Sequence, residues 1–219
     1  HVPPLDRTHL AYYLVTGVTA LAIPSATMVI VVGRVPVGVM ALIVTLSPIF
    51  TYGFSMVLRL EGFSARNALG MALGLGGALL IVLPRASLPD PEMGWWVALG
   101  IVTPLFYAGS NIYIALRRPE GVHSLALAAA MQLSAGAAVG LAALATGDIY
   151  VPSAIPGPAE FAILGHILVA SLGSLMFFEV MRLAGPVVLS QVAYVVTLTG
   201  IVWGMALFGE RHSVWVWAA

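Results

Sequence analysis

Two side chains in this sequence stand where proton chemistry inside an apolar environment is feasible. Glu179 sits in the run Phe177-Phe178-Glu179-Val180, and His166 precedes it by 13 residues in the same apolar stretch. A carboxylate desolvated among apolar groups has a raised pKa and can take up a proton near neutral pH, and an imidazole can relay one. Each residue also has a structural reading. Arg182, one turn after Glu179, is placed to pair with it, and a histidine within an apolar helix can hydrogen-bond a neighbouring helix.

A second group carries neutral polar chemistry. Tyr107, Ser110 and Asn111 share one helical face, Gln132 is central in its own apolar run, and Gln191 and Tyr194 lie one turn apart in another. Their amides and phenols can orient a zwitterion or an aromatic ring along a substrate pathway, or they can knit helices together. Beside His166 no second histidine or carboxylate stands at ligand spacing, so no metal is expected. No nucleophile–base spacing and no phosphate loop occurs, so the reading has no catalytic residue and no cofactor.

The elements that must position these groups follow from composition. Hydrophobic residues make up 60% of the 219-residue chain and charged residues 8%, against about 25% charged in a soluble domain. Mean hydropathy is +1.01. Formal net charge is zero, which gives no reason to expect a nucleic-acid partner, and there is no cysteine for disulfide or thiolate chemistry. Charge-free runs cover 8–33, 35–58, 67–84, 93–116, 121–147, 161–178 and 183–209. Each can supply the roughly 17–25 helical residues that cross a bilayer core. The expected fold is an all-α polytopic membrane protein with seven complete spans and the start of an eighth from His212. His1 is not an initiator methionine and Ala219 ends inside an apolar run, so the sequence reads as a fragment.

All nine basic residues are arginine. If loops alternate sides, Arg7, Arg59, Arg66, Arg117, Arg118 and Arg182 share one face, and Arg34, Arg85 and Arg211 the other. The positive-inside rule makes the first face cytoplasmic. A short pattern occurs twice, Leu58-x-x-Glu61-x-x-Ser64 and Leu207-x-x-Glu210-x-x-Ser213, each after an apolar stretch begun by Pro36 or Pro186. On this topology the two copies face opposite sides, the mark of an inverted repeat. Ser64 and Ser213 are placed to cap the following helices, and Glu61 and Glu210 to favour their positive ends.

Residues 1–84 form the C-terminal part of a first repeat, 85–93 a polar linker, and 94–219 a second repeat truncated in its last helix. The 148–160 loop is outward and serves as a connector, or folds against the membrane surface. Pro24, Pro48 and Pro104 lie inside runs and should kink their helices, as hinges or as static bends. Gly70-x-x-x-Gly74, Gly136-x-x-x-Gly140 and Gly200-x-x-x-Gly204 permit close helix contact, within the chain or at a homodimer face. Trp95, Trp96, Trp215 and Trp217 suit an interfacial aromatic belt.

These motifs resemble the drug/metabolite transporter superfamily, in its EamA-like branch. The matching residues are Val35-Pro36-Val37-Gly38, Leu46-Ser47-Pro48, Glu61, Ser64 and Gly70, then Gly185-Pro186, Ser190-Gln191, Trp203-Gly204 and Gly209-Glu210-Arg211. The resemblance implies two inverted five-helix repeats, ten helices in all, of which this chain holds the third to the ninth and the start of the tenth. It implies a multi-pass protein of the bacterial inner membrane that moves small metabolites, such as amino acids or related compounds, often outward, by alternating access. The lipid bilayer and a small-molecule substrate are then the partners, with proton coupling through Glu179 and His166 as the mechanistic expectation. The alternative is a non-transporting membrane protein, a lipid-binding or assembly subunit.

Overall fold

A computed structural model describes residues 3–35, 40, 43–82, 94–147, 149 and 157–208. Every described element is helical. Helix α1 (Arg7–Gly17) passes through a π turn (Val18–Ala22) into α2 (Ile23–Val32). Then come α3 (Ser47–Val57), α4 (Ala65–Val82), α5 (Gly94–Gly100), α6 (Val102–Arg117), α7 (Ser124–Thr146), α8 (Pro158–Ser190) and α9 (Val192–Phe208). Among the described residues four stretches, against the seven complete spans expected, are long and apolar enough to cross a membrane: Arg7–Val31, Gly94–Arg117, Ser124–Thr146 and Pro158–Ser190. The protein is thus an all-helical, polytopic membrane protein. The linker 85–93, most of the 148–160 loop, Pro36, Glu210, Ser213, Trp215 and Trp217 lie outside the described residues.

Each helix begins where its sequence supplies a start signal. Asp6 caps α1, accepting hydrogen bonds from the Thr8 and His9 amides at 3.0 Å each, and its other oxygen lies 2.5 Å from His9 Nδ1. The His9 amide first, then its ring, hold the Asp6 carboxyl below the ordinary value. Ser64 accepts from the Asn67 amide at 3.4 Å, the capping geometry expected before α4. The Tyr52 hydroxyl accepts from the Ser64 amide at 2.6 Å, tying the turn that carries Glu61 back onto α3. His123 caps α7, its Nδ1 accepting from the Leu125 amide at 3.3 Å.

All three prolines lie in the first turn after an interruption. The π turn precedes Pro24, a turn at Thr45–Leu46 precedes Pro48, and a turn at Ile101 precedes Pro104. A proline in a first turn lacks only an N–H that has no intrahelical partner there, so the irregularity falls just upstream of the ring. The π turn is the largest of these distortions, and such bulges recur at functional sites.

The sequence runs 161–178 and 183–209 meet differently from expectation. Helix α8 continues through Glu179 and Arg182 and changes direction only at Gly185, where φ is +79° and ψ 178° ahead of Pro186. That backbone region is open to glycine almost alone. A Cβ on Gly185 would meet nothing within 4 Å, so the constraint is the dihedral and not space. The following stretch is itself interrupted at Gln191 before α9.

Helix contact through glycine also departs from the sequence pattern. Among the paired glycines, a Cβ on Gly74 would fall 2.6 Å from the Tyr194 ring, whereas one on Gly70, Gly136 or Gly140 would meet nothing within 4 Å. The tightest backbone approach is at Gly17, where a Cβ would lie 2.6 Å from Ser134 Cβ and 2.7 Å from the Met131 carbonyl oxygen. No second glycine follows four residues later, so a search for paired glycines passes it by.

Gly185→Ala is expected to cost about 1–3 kcal/mol of stability through the backbone alone. Unfolding of the full-length protein in mixed micelles measures it, and Gly140→Ala, at an open helical site, should lose none.

Candidate functional site

Helices α1, α6, α7 and α8 run alternately across the bundle, and their registers agree. Gly17 touches Ser134 and Met131, each about two to three turns from the starts of α1 and α7. Gln132 meets Ser174 at similar depth from the other end of α8. Arg118 and Arg182 therefore share one end, the one the arginine count predicts to be cytoplasmic. At the opposite end the Arg34 guanidinium lies 5.3 Å from the Trp96 ring centroid.

A cavity of about 760 Å³ opens between these helices. The π turn contributes Ala20, Leu21 and Ala22, and α2 contributes Ser25. From α6 come Tyr107, Ser110 and Asn111, from α7 Gln132 and Gly136, and from α8 His166, Ser174 and Phe177. At 1.5 Å per residue, Tyr107 lies about 15 Å along its helix from Arg117 and His166 about 24 Å from Arg182. The cavity thus spans the middle and outer part of the bundle. Its wall is mostly apolar with a few convergent polar groups, the usual make-up of a small-molecule site.

Two of those polar groups are engaged in holding the helices. Gln132 Nε2 donates to Ser174 Oγ at 2.8 Å and to the Ala170 carbonyl at 3.2 Å, and Ser174 Oγ donates to that carbonyl at 2.9 Å. The Ser110 hydroxyl, 2.9 Å from Thr19 Oγ1, ties α6 to the π turn. Asn111 differs. It is only 6% exposed, it lines the cavity, and no described residue hydrogen-bonds its amide. Its amide is not among the fully enclosed polar atoms left without a partner, so it faces the open cavity rather than packed protein.

Four of the expected pathway residues, Tyr107, Ser110, Asn111 and Gln132, therefore share one cavity with His166. Gln191 and Tyr194 do not line it. Tyr194 packs its ring against Gly74 and donates to the Met71 carbonyl at 3.4 Å, joining α9 to α4. Ser25 and Ser174 were not singled out by their sequence. Ser174 follows His166 by two helical turns, a spacing that places both on one face.

Glu179 lies away from the cavity. Arg182 donates to Glu179 Oε2 from Nε at 3.0 Å and from a terminal nitrogen at 2.7 Å, and both side chains are partly exposed. The structure thus forms the ion pair that was one of its two readings, and the desolvated surroundings assumed by the other are not found. Glu179 belongs to a second, polar hollow at the cytoplasmic end with Arg118, Ser124 and Arg182. No cluster of three metal-ligating side chains occurs among the described residues.

Between hollow and cavity lies packed protein. Tyr12 and Tyr13 of α1, Ile114 of α6, Leu127 and Met131 of α7, and Phe178 of α8 form one buried cluster. Tyr12 stacks on Tyr113 at 5.8 Å between centroids, and Phe177 meets Phe178 edge-on at 5.4 Å.

A polytopic bundle with a mid-depth cavity at helix junctions has the architecture of a membrane carrier. Residues 1–83 match the EamA-like transporter family. The chain is 27% identical over 193 residues to the uncharacterized inner membrane transporter YedA of Escherichia coli K12, and equally to its counterparts in E. coli O6:H1 and O157:H7. That alignment covers 85% of this chain and 59% of each relative. The resemblance to the EamA-like transporter family suggested by the paired motifs is thus supported over residues 1–83, and the chain spans 59% of the length of the relatives it matches. Its apolar helices make the chain a multi-pass membrane protein, and the relatives it resembles are named inner membrane transporters.

Gln132→Leu should lower stability by about 0.6 kcal/mol and at most about 2, the range for an interhelical side-chain bond in a membrane. Asn111→Leu, which removes an unpartnered amide, should leave stability level or raise it. Unfolding of both variants in micelles decides whether the two amides have the different tasks their contacts indicate.

Proposed function

We propose that this chain belongs to a secondary transporter that exports small metabolites, amino acids or related compounds, across the inner membrane by alternating access. The observation that carries this reading is the cavity itself. Three helices, α6, α7 and α8, bring Tyr107, Asn111, Gln132 and His166 to one space of about 760 Å³, a volume suited to a small metabolite. Apolar walls at Leu21, Val139 and Phe177 take the body of such a molecule, while the Asn111 amide and Tyr107 hydroxyl orient its polar end. The similarity to YedA, which is named a transporter, supports the class and not the cargo.

Proton coupling on this reading uses two places. His166 stands on the cavity wall, where an imidazole is placed to relay protons. Glu179 is held by Arg182, so it takes up a proton only when that pair opens, which assigns its turn to the cytoplasmic half of the cycle.

Uptake into everted vesicles by the full-length protein tests the reading, with a panel of amino acids and related compounds, with and without a proton gradient. Saturable, gradient-dependent uptake of one class is expected, with Asn111→Ala lowering it at least about tenfold. Glu179→Gln should flatten its pH dependence. No uptake of any compound by a folded, inserted protein would overturn transport. Unchanged pH dependence in Glu179→Gln would remove the proton role from that residue.

A further inference from the structure

We infer that the aromatic layer beneath the cavity is the inner gate and that Arg118 is the latch that holds it shut. This rests on the transport reading for its purpose, but its geometry stands independently. The layer closes the cavity from the cytoplasmic end with residues of four helices, and its members Tyr12, Ile114, Leu127 and Phe178 are each under 5% exposed. Among the described residues these packed side chains stand between the cavity and the polar hollow that Arg118 lines.

Arg118 is the polar group that binds this layer from below. It follows α6 directly, at the head of the loop to α7. One terminal nitrogen donates to the Phe178 backbone carbonyl of α8 at 2.9 Å, and the other to Ser124 Oγ at the start of α7 at 2.9 Å. Its guanidinium carbon also lies 6.0 Å from the Phe178 ring centroid. One side chain thereby joins three helices, α6 at its end, α7 at its start and α8 at Phe178, the residue whose ring completes the layer. The planar fork suits this, because two donors at fixed angles reach two acceptors on different helices, which a lysine ammonium on a single point cannot match. Glu120 and the Glu179–Arg182 pair line the same hollow, so two carboxylates stand against the Arg118 and Arg182 charges there.

The closed layer is also built to open. The hydroxyls of Tyr12 and Tyr13 are buried with no hydrogen-bond partner among the described residues. Closing therefore strips water from two phenols without replacing it, and opening returns it. A purely structural core would gain by carrying phenylalanine at both positions. The tyrosines instead lower the difference between packed and parted layers, and the latch supplies what they take away.

The sequence contains no cysteine, so a single reporter thiol can be read cleanly in this part of the protein. Gly136→Cys puts that thiol on the cavity wall, where a Cβ meets nothing within 4 Å. The rate of labelling by a membrane-impermeant maleimide applied to the cytoplasmic face of everted vesicles then reports the gate. Labelling should be slow in the full-length protein with Arg118 intact and at least tenfold faster with Arg118→Ala. Arg117→Ala, which removes an equal charge one residue away, should leave it slow. Tyr12→Phe/Tyr13→Phe should slow the Arg118→Ala rate again. If Arg118→Ala does not insert, Ser124→Ala, which removes one of the two acceptors, should still speed labelling. Equal rates for these latch variants and the parent, or fast labelling of the parent, would overturn the latch. A latch that responds in this way in a protein that transports nothing would separate the fate of the gate from that of the transport reading.

Discussion

A polar cavity inside a bilayer has to be closed from one water phase by packed protein, or the membrane leaks. In this chain the closure is a layer about two turns deep, where Tyr12, Tyr13, Ile114, Leu127, Met131 and Phe178 meet. The rest of the arrangement depends on it. Gly17 lets the backbones of α1 and α7 approach closely enough for Tyr12 and Met131 to reach one another. The π turn then carries α1 outward around the space that the layer floors, so that cavity and closure are produced by one distortion in one helix.

Interhelical hydrogen bonds are modest in membranes, about 0.6 kcal/mol on average, and the fold uses them sparingly. Gln132 joins α7 to α8, Ser110 joins α6 to the π turn, and Tyr194 joins α9 to α4. Each bond lies between helices that must keep their register if the cavity is to keep its shape. Asn111 stands among them without a partner, at the same depth as Gln132. That contrast gives the cavity a chemical direction, with a bonded wall on the α7–α8 side and a free amide on the α6 side.

Much of the architecture was legible in the sequence because bilayer crossing imposes length and polarity on every span. Among the described residues the charge-free runs 8–33, 93–116, 121–147 and 161–178 fall in helices long and apolar enough to span, while 35–58, 67–84 and 183–209 give helices outside that set. The face shared by Tyr107, Ser110 and Asn111 followed from helical spacing alone. What remained hidden depends on neighbours. Glu179 in an apolar sequence context reads as desolvated, yet the extension of α8 to Gly185 carries it beyond the packed layer to Arg182. Tyr194 reads as a pathway phenol until Gly74 is found against its ring. Arg118 looked like one more loop charge, because its acceptors, the Phe178 carbonyl and Ser124, belong to helices that only the fold brings together.

The central claim is that the cavity between α1, α6, α7 and α8 holds the cargo. The most direct test is protection of a thiol placed in its wall, Ala135→Cys in the full-length protein, labelled from the outer side with rising concentrations of a transported compound. The account predicts that labelling slows in proportion to occupancy, with half-protection at the concentration that half-saturates uptake. Labelling that stays constant while uptake saturates would place the cargo elsewhere and contradict it.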